Sequence, residues 1–180
     1  MMTRRFLAPV LLTCVICTPA WAAPTPSPTK LFVREVKSDI FGYLMPEKDL
    51  RAGRFVFRNI ALGSPVEFQS YESGKNAIPT YAPFMLEFDD VTSKTSENEL
   101  GQMAYAVAPR VLPTFYVITS KSFAFWGTEK TIGAVSFKGV LDLAAMKAAK
   151  DDQNKIVATG DLTFGGKTFK NVKLTWFGGD

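Results

Sequence analysis

Apolar and polar residues alternate with a period of two over most of the chain beyond Leu31. In Phe84-Met85-Leu86-Glu87-Phe88-Asp89, the residues Phe84, Leu86 and Phe88 share one face while Glu87 and Asp89 share the other. Side chains on a strand repeat every second residue, so this spacing predicts a strand with one buried and one wet face. Arg54-Phe55-Val56-Phe57-Arg58 groups Phe55 with Phe57 in the same way, and Val135, Phe137, Leu141 and Leu143 alternate with Ser136, Lys138 and Asp142. Near the end, Ile156, Ala158, Leu162 and Phe164 oppose Thr159, Asp161 and Thr163, then Val172, Leu174 and Trp176 oppose Lys173 and Thr175. Gly165-Gly166-Lys167 separates these two runs as a short hairpin turn, where glycine supplies the positive φ angles such turns require.

Breaks in the pattern carry information as well. Phe169 is out of phase with Val172 and Leu174, so an inward Phe169 requires a bulge at Lys170-Asn171. Gly139 and Gly160 fall on inward positions inside strands, where a missing side chain permits the sharp bend of a curled sheet. Further strands are expected over 31–37, 66–71, 111–119 and 122–126, with a weaker one over 103–108. Pro109 and Pro113 make the start of the 111–119 strand an edge or a bulged segment. The run Leu143 to Lys150 is rich in Ala and ends in Lys, which predicts a two-turn helix with a cation at its C-terminal end. Thr92 to Glu99 has no apolar period and reads as a solvated loop. The expected fold is therefore all-β, a curled antiparallel β-barrel or sandwich of about eight to nine strands with one short helix near 143–150.

Ahead of this domain the pattern changes. Arg4 and Arg5 precede an apolar run from Phe6 to Cys17, and Pro19-Ala20-Trp21-Ala22 ends in the small-x-small form of a secretory cleavage site. A cut after Ala22 removes residues 1–22; the apolar run is shorter than the ~20 residues of a spanning helix. Pro24-Thr25-Pro26-Ser27-Pro28-Thr29 cannot donate ladder hydrogen bonds at its prolines, so residues 23–30 read as an extended Pro-rich tether. Residues 31–180 form the single β-domain. Both cysteines, Cys14 and Cys17, lie in the removed segment, and the chain has no histidine. Loss of Arg4 and Arg5 lowers the formal charge from +4 to +2. A secreted domain without disulfides and without an Asn-x-Ser/Thr acceptor points to a bacterial envelope, periplasmic or secreted, with membrane association peripheral at most.

Those absences restrict the chemistry. Without His or Cys, an exported chain has no Ser-His-Asp triad, no Cys nucleophile, no imidazole zinc site and no covalent haem attachment. A charge of +2 gives no clustered basic face for nucleic acid. Ser27-Pro28-Thr29-Lys30 has the spacing of a Ser-Lys nucleophile but lies in the tether. Glu67, Glu72, Glu87, Asp89 and Asp90 offer carboxylates for glycoside chemistry, yet acidic residues at alternate positions are the ordinary wet face of a strand. Asp151-Asp152 and Glu97 with Glu99 lack the spacing of a calcium cage. Gly165-Gly166-Lys167-Thr168 joins two strands and precedes no helix, so it does not cradle phosphate. The expectation is a non-enzymatic protein without catalytic residues, metal or cofactor.

What remains is binding. Aromatic residues on strands either fill a core or line an apolar pocket, and Tyr116, Phe125, Phe137 and Trp176 are the pocket candidates. Gly160-Asp161-Leu162-Thr163, followed by Gly166, Thr168, Val172 and Leu174, resembles the last hairpin of the YceI-like family of secreted barrels. That resemblance covers residues 160–174 and implies a barrel holding a polyisoprenoid or amphiphile in a long cavity. The family's opening segment with its histidine has no counterpart here, and Asn171 is an extra residue against its spacing. The leading functional expectation is an envelope domain that binds an apolar or amphiphilic ligand, a lipid for example, or an envelope component. One alternative is a protein–protein interaction factor of inhibitor, assembly or immunity type, acting through loops such as 71–83. Another is a small outer-membrane barrel.

Overall fold

The computed structural model describes residues 31–75, 78–97, 101 and 103–179. The expected signal peptide and tether lie outside the described residues. Chain order is β1 (Leu31–Arg34), β2 (Gly42–Pro46), β3 (Leu50–Ala52), β4 (Phe55–Leu62), α1 (Pro65–Glu72), β5 (Phe84–Asp90), β6 (Thr95–Glu97) and β7 (Met103–Tyr105). There follow β8 (Arg110–Val111), β9 (Pro113–Ile118), β10 (Phe123–Glu129), β11 (Gly133–Leu141), α2 (Leu143–Ala148), β12 (Ile156–Phe164) and β13 (Lys167–Phe177). The all-β class holds.

The main sheet runs β1-β9-β10-β11-β12-β13-β2-β4-β5-β8, with β3 beside β4. It is a curled half-barrel of mixed strands. Pairing is antiparallel except between β1 and β9, which run parallel, so the antiparallel expectation fails at this one edge. The curl follows from a single stretch of chain. Only Leu112 separates β8, whose Val111 pairs with Leu86 of β5, from β9, whose Pro113 pairs with Gly127 of β10. The register shift beside Pro113, between Trp126 and Gly127, is the bulge expected from a residue without an N–H.

Phenylalanines fill the interior. Phe57, Phe68, Phe84, Phe88, Phe123, Phe125, Phe137, Phe164 and Tyr116 are all fully buried, and their rings meet in chains such as Phe88 to Phe164 at 4.9 Å and Phe164 to Phe169 at 5.1 Å. Gly139 and Gly160 pair with each other across β11 and β12. A Cβ on Gly139 would lie 2.2 Å from the Thr159 carbonyl oxygen, and one on Gly160 would lie 2.7 Å from Phe137 Cζ. Both glycines thus serve close backbone approach and ring packing.

The bulge in β13 also forms. Gly160 pairs with Val172 and Leu162 with Phe169, so Lys170 and Asn171 together face Asp161. Asn171 takes φ +54°, a left-handed conformation that Asn tolerates better than most residues. Gly165 and Gly166 alone make the turn, since Phe164 pairs with Lys167.

Beyond the parallel edge, four further expectations are corrected. Residues 66–71 are helical, in α1, because Ser64 caps it through a capping box with Glu67 and Pro65 opens its first turn. Of the expected loop 92–99, residues 98 and 99 lie outside the described residues, and 95–97 form β6, which pairs with β7 in a separate two-stranded sheet with Thr95, Ser96 and Glu97 exposed. In β12, Val157 is buried and Ile156 only partly so, because the register shifts between Ile156 and Ala158. Finally, Glu87 is buried and Asp89 partly buried: arginines cover the face of β5 expected to be wet.

Candidate functional site

The sequence-derived pocket residues separate. Tyr116 lies against Phe32, Phe68 and Phe84, Phe125 against Phe84, and Phe137 against Phe123. All three are fully buried and packed in the core, and they line none of the clefts described below. Trp176 alone borders a cleft. Packed aromatics of the barrel interior thus take the place of the expected internal pocket.

That cleft is a groove of about 670 Å³ between α2, the 38–41 segment and the end of β13, within the usual size range of small-molecule sites. Asp142 builds the α2 wall by capping the helix, its carboxylate accepting from the Ala145 N–H at 2.9 Å. Met146 of α2 is buried, while Lys147 and Lys150 on the same wall are exposed. Ile40, buried, and Phe41, 46% exposed, form the opposite side. Asp39 shapes that segment, since its Oδ1 accepts the Phe41 N–H at 3.0 Å.

Trp176 is fixed from two sides. Its indole Nε1 donates to the Phe41 carbonyl at 2.9 Å. Gly42, at φ +130°, leaves room for it: a Cβ there would stand 2.4 Å from Nε1, and one on Gly178 would stand 2.8 Å from the ring's Cη2. The groove therefore has a rigid aromatic wall, an apolar floor from Met146 and Ile40, and two cationic side chains at its rim.

No family model, curated protein or solved structure matches this chain. The groove's chemistry must therefore be read from its own residues.

Two other clefts are smaller. One of about 330 Å³ lies between the β2–β3 turn and the β13 bulge, with Lys48, Phe169 and Lys173 in its lining. The other, about 150 Å³, sits beyond Phe41 on the outer face and includes Tyr43, Tyr81, Glu87 and Arg110. Arg110 Nε meets Glu87 at 2.9 Å and Asn59 Nδ2 donates to Glu87 Oε2 at 3.2 Å. Arg58 lies 3.6 Å from Asp89. Burial pushes the Asp89 carboxyl above its ordinary range, with Arg58 opposing and Glu87 reinforcing. Glu87 and Asp89 thus belong to an ion-pair ladder across β4, β5 and β8, a structural use of the carboxylates weighed above for glycoside chemistry.

The remaining carboxylates are also engaged. Glu67 accepts from the Ser64 N–H and hydroxyl and from the Tyr81 hydroxyl at 2.6 Å. Burial alone would raise Glu67, but these bonds hold it below the usual carboxylate range. Burial and the Glu67 bond push the Tyr81 hydroxyl well above its ordinary value. Glu72 accepts from the Tyr116 hydroxyl at 2.7 Å and pairs with Arg34 at 3.1 Å, tying α1 and β1 to β9. Asp90 accepts from Thr92 and pairs with Arg54.

Sequence reading missed Ile40, Phe41 and the role of Met146 in the groove. Residues 38–41 lie outside every expected strand and have no apolar period to draw attention to them. The available signal was the α2 run itself, where Leu143 and Met146 alternate with Lys147 and Lys150 at helical spacing.

Proposed function

We propose that this domain binds an apolar or amphiphilic ligand in the groove between α2, the 38–41 segment and Trp176, and that it does so as a non-enzymatic protein of the bacterial envelope. The single observation that carries this reading is the 670 Å³ groove with its fixed indole and apolar floor. It retains the ligand class implied by the YceI-like resemblance of residues 160–174 and moves the site from the barrel's packed interior to its outside. Export with cleavage after Ala22 and a soluble or peripheral periplasmic setting belong to the same proposal. Support for an aqueous setting comes from the polarity of the strands: phenylalanines point inward, while Arg58, Lys138 and Lys173 stand exposed outside. That is the reverse of a barrel in lipid, whose outer band is apolar.

The test is organic extraction and mass spectrometry of protein purified from envelope fractions, wild type beside Ser38→Trp, which fills the groove from its exposed rim. The proposal expects one amphiphile per chain in wild type and a strong reduction in Ser38→Trp. Equal retention by the two proteins, or an empty wild type that also takes up no amphiphile when it is added, overturns it.

A further inference from the structure

Lys147, in the last turn of α2, and Lys150, just beyond its C-cap Ala149, are exposed and line the groove beside buried Met146. Among the described residues neither lysine has an ion-pair partner. The five ion pairs among the described residues involve Arg34, Arg54, Arg58, Arg110 and Lys170. Asp39 is the one carboxylate in the groove lining, and its Oδ1 already holds the Phe41 N–H. The groove therefore combines an apolar floor with a rim that carries two lysines against one aspartate. A neutral ligand would leave that charge unused, and a cationic one would be repelled by it.

Resting on the amphiphile reading above, we infer that the groove selects a single-chain amphiphile with an anionic head, a carboxylate or a phosphate monoester. Lys147 and Lys150 take the head, while Met146, Ile40 and the Trp176 indole take the chain. The head gains two charge-assisted contacts that exchange with water at the rim, so each contributes modestly. Selectivity between heads arises from the sign of the rim charge, and affinity for the chain from apolar burial. Because Gly42 and Gly178 leave room for the indole and the Phe41 carbonyl holds it, the wall is ordered before the ligand arrives, which reduces the entropy lost on binding.

Trp176 also reports on the groove. The chain has three tryptophans; Trp21 precedes the proposed cut after Ala22, so Trp126→Phe leaves Trp176 as the sole indole of the exported protein. Fluorescence titration of this protein would use dodecanoate, dodecyl phosphate, dodecyl maltoside and dodecyltrimethylammonium, all below micelle formation. The inference expects one or both anions to bind about tenfold or more tighter than the cation, with the neutral probe between. Lys147→Gln with Lys150→Gln should bring the anions to parity with the neutral probe. The ratio of dodecanoate to dodecyl phosphate assigns the head. If all heads bind alike, or the lysine variant keeps its preference for anions, the inference fails while the groove remains a chain-binding site. If no probe perturbs Trp176, the groove reading itself fails.

Discussion

At residue scale, the informative positions are those where a side chain is absent or constrained. Gly139 and Gly160 were legible in the sequence because they interrupt an apolar face, and their facing pair explains why: a methyl on Gly139 would press on the Thr159 carbonyl at 2.2 Å. Gly139→Ala is expected to destabilise by about 1–3 kcal/mol, as overpacking does. Urea denaturation against Lys138→Ala, an exposed neighbour expected to stay within ~0.5 kcal/mol, checks it. Asp161 predicts a pH dependence. Its bond from Lys170 Nζ at 2.7 Å and the Asn171 N–H at 3.0 Å hold its carboxyl below the usual range. A carboxylate lowered on folding stabilises fully above its unfolded value near 4 and loses that contribution as pH falls through the folded one. Thermal melts of Asp161→Asn should therefore approach those of wild type as pH drops from about 5 to below 3. Buried Glu87 was not legible, because the arginine that accompanies it, Arg110, is 23 positions away in the chain.

At the scale of elements, β11 to β13 were readable because each is long, its period is clean and its neighbours follow directly in sequence. Even the β13 bulge followed from counting phase. Asn171→Val puts a β-branched side chain at φ +54° and is expected to lose roughly 1–2 kcal/mol, whereas Asn171→Gly should be neutral or better; comparison of their denaturation midpoints decides it. Val66 and Phe68, alternating with polar Glu67 and Gln69, also fit the period of a strand, which hid α1. The overlooked signal was Ser64-Pro65-Val66-Glu67, the capping box with proline at the first turn. Ser64→Ala removes the cap and should lower stability by about 1 kcal/mol. Faster amide exchange in 65–72 relative to β12 would locate that loss in α1. Short β2 and β3 escaped notice because each has fewer than six residues, too few for a period to stand out from its surroundings.

For the whole molecule, period two, the inward glycines and the broken strand at Pro113 conveyed a curled all-β domain. They did not convey that Tyr116, Phe125 and Phe137 are packed against other core rings. Strand aromatics look alike in sequence whether they line a cavity or fill it; only the ring contacts of Tyr116, Phe125 and Phe137 distinguish the two. The groove joins 38–41, 143–150 and 176–178, segments more than a hundred residues apart at the extremes, so no local pattern announces it. On the proposed function, ligand occupies this outer groove while the core aromatics keep their packing. Chemical-shift mapping by NMR of the isotope-labelled protein, with dodecyl phosphate added below micelle formation, tests this most directly. Binding in the groove is expected to give saturable shifts at Ile40, Phe41, Leu143, Met146 and the Trp176 indole, with Phe125 and Phe137 unmoved. Shifts centred on Tyr116, Phe125 and Phe137, or none at Trp176, would contradict it.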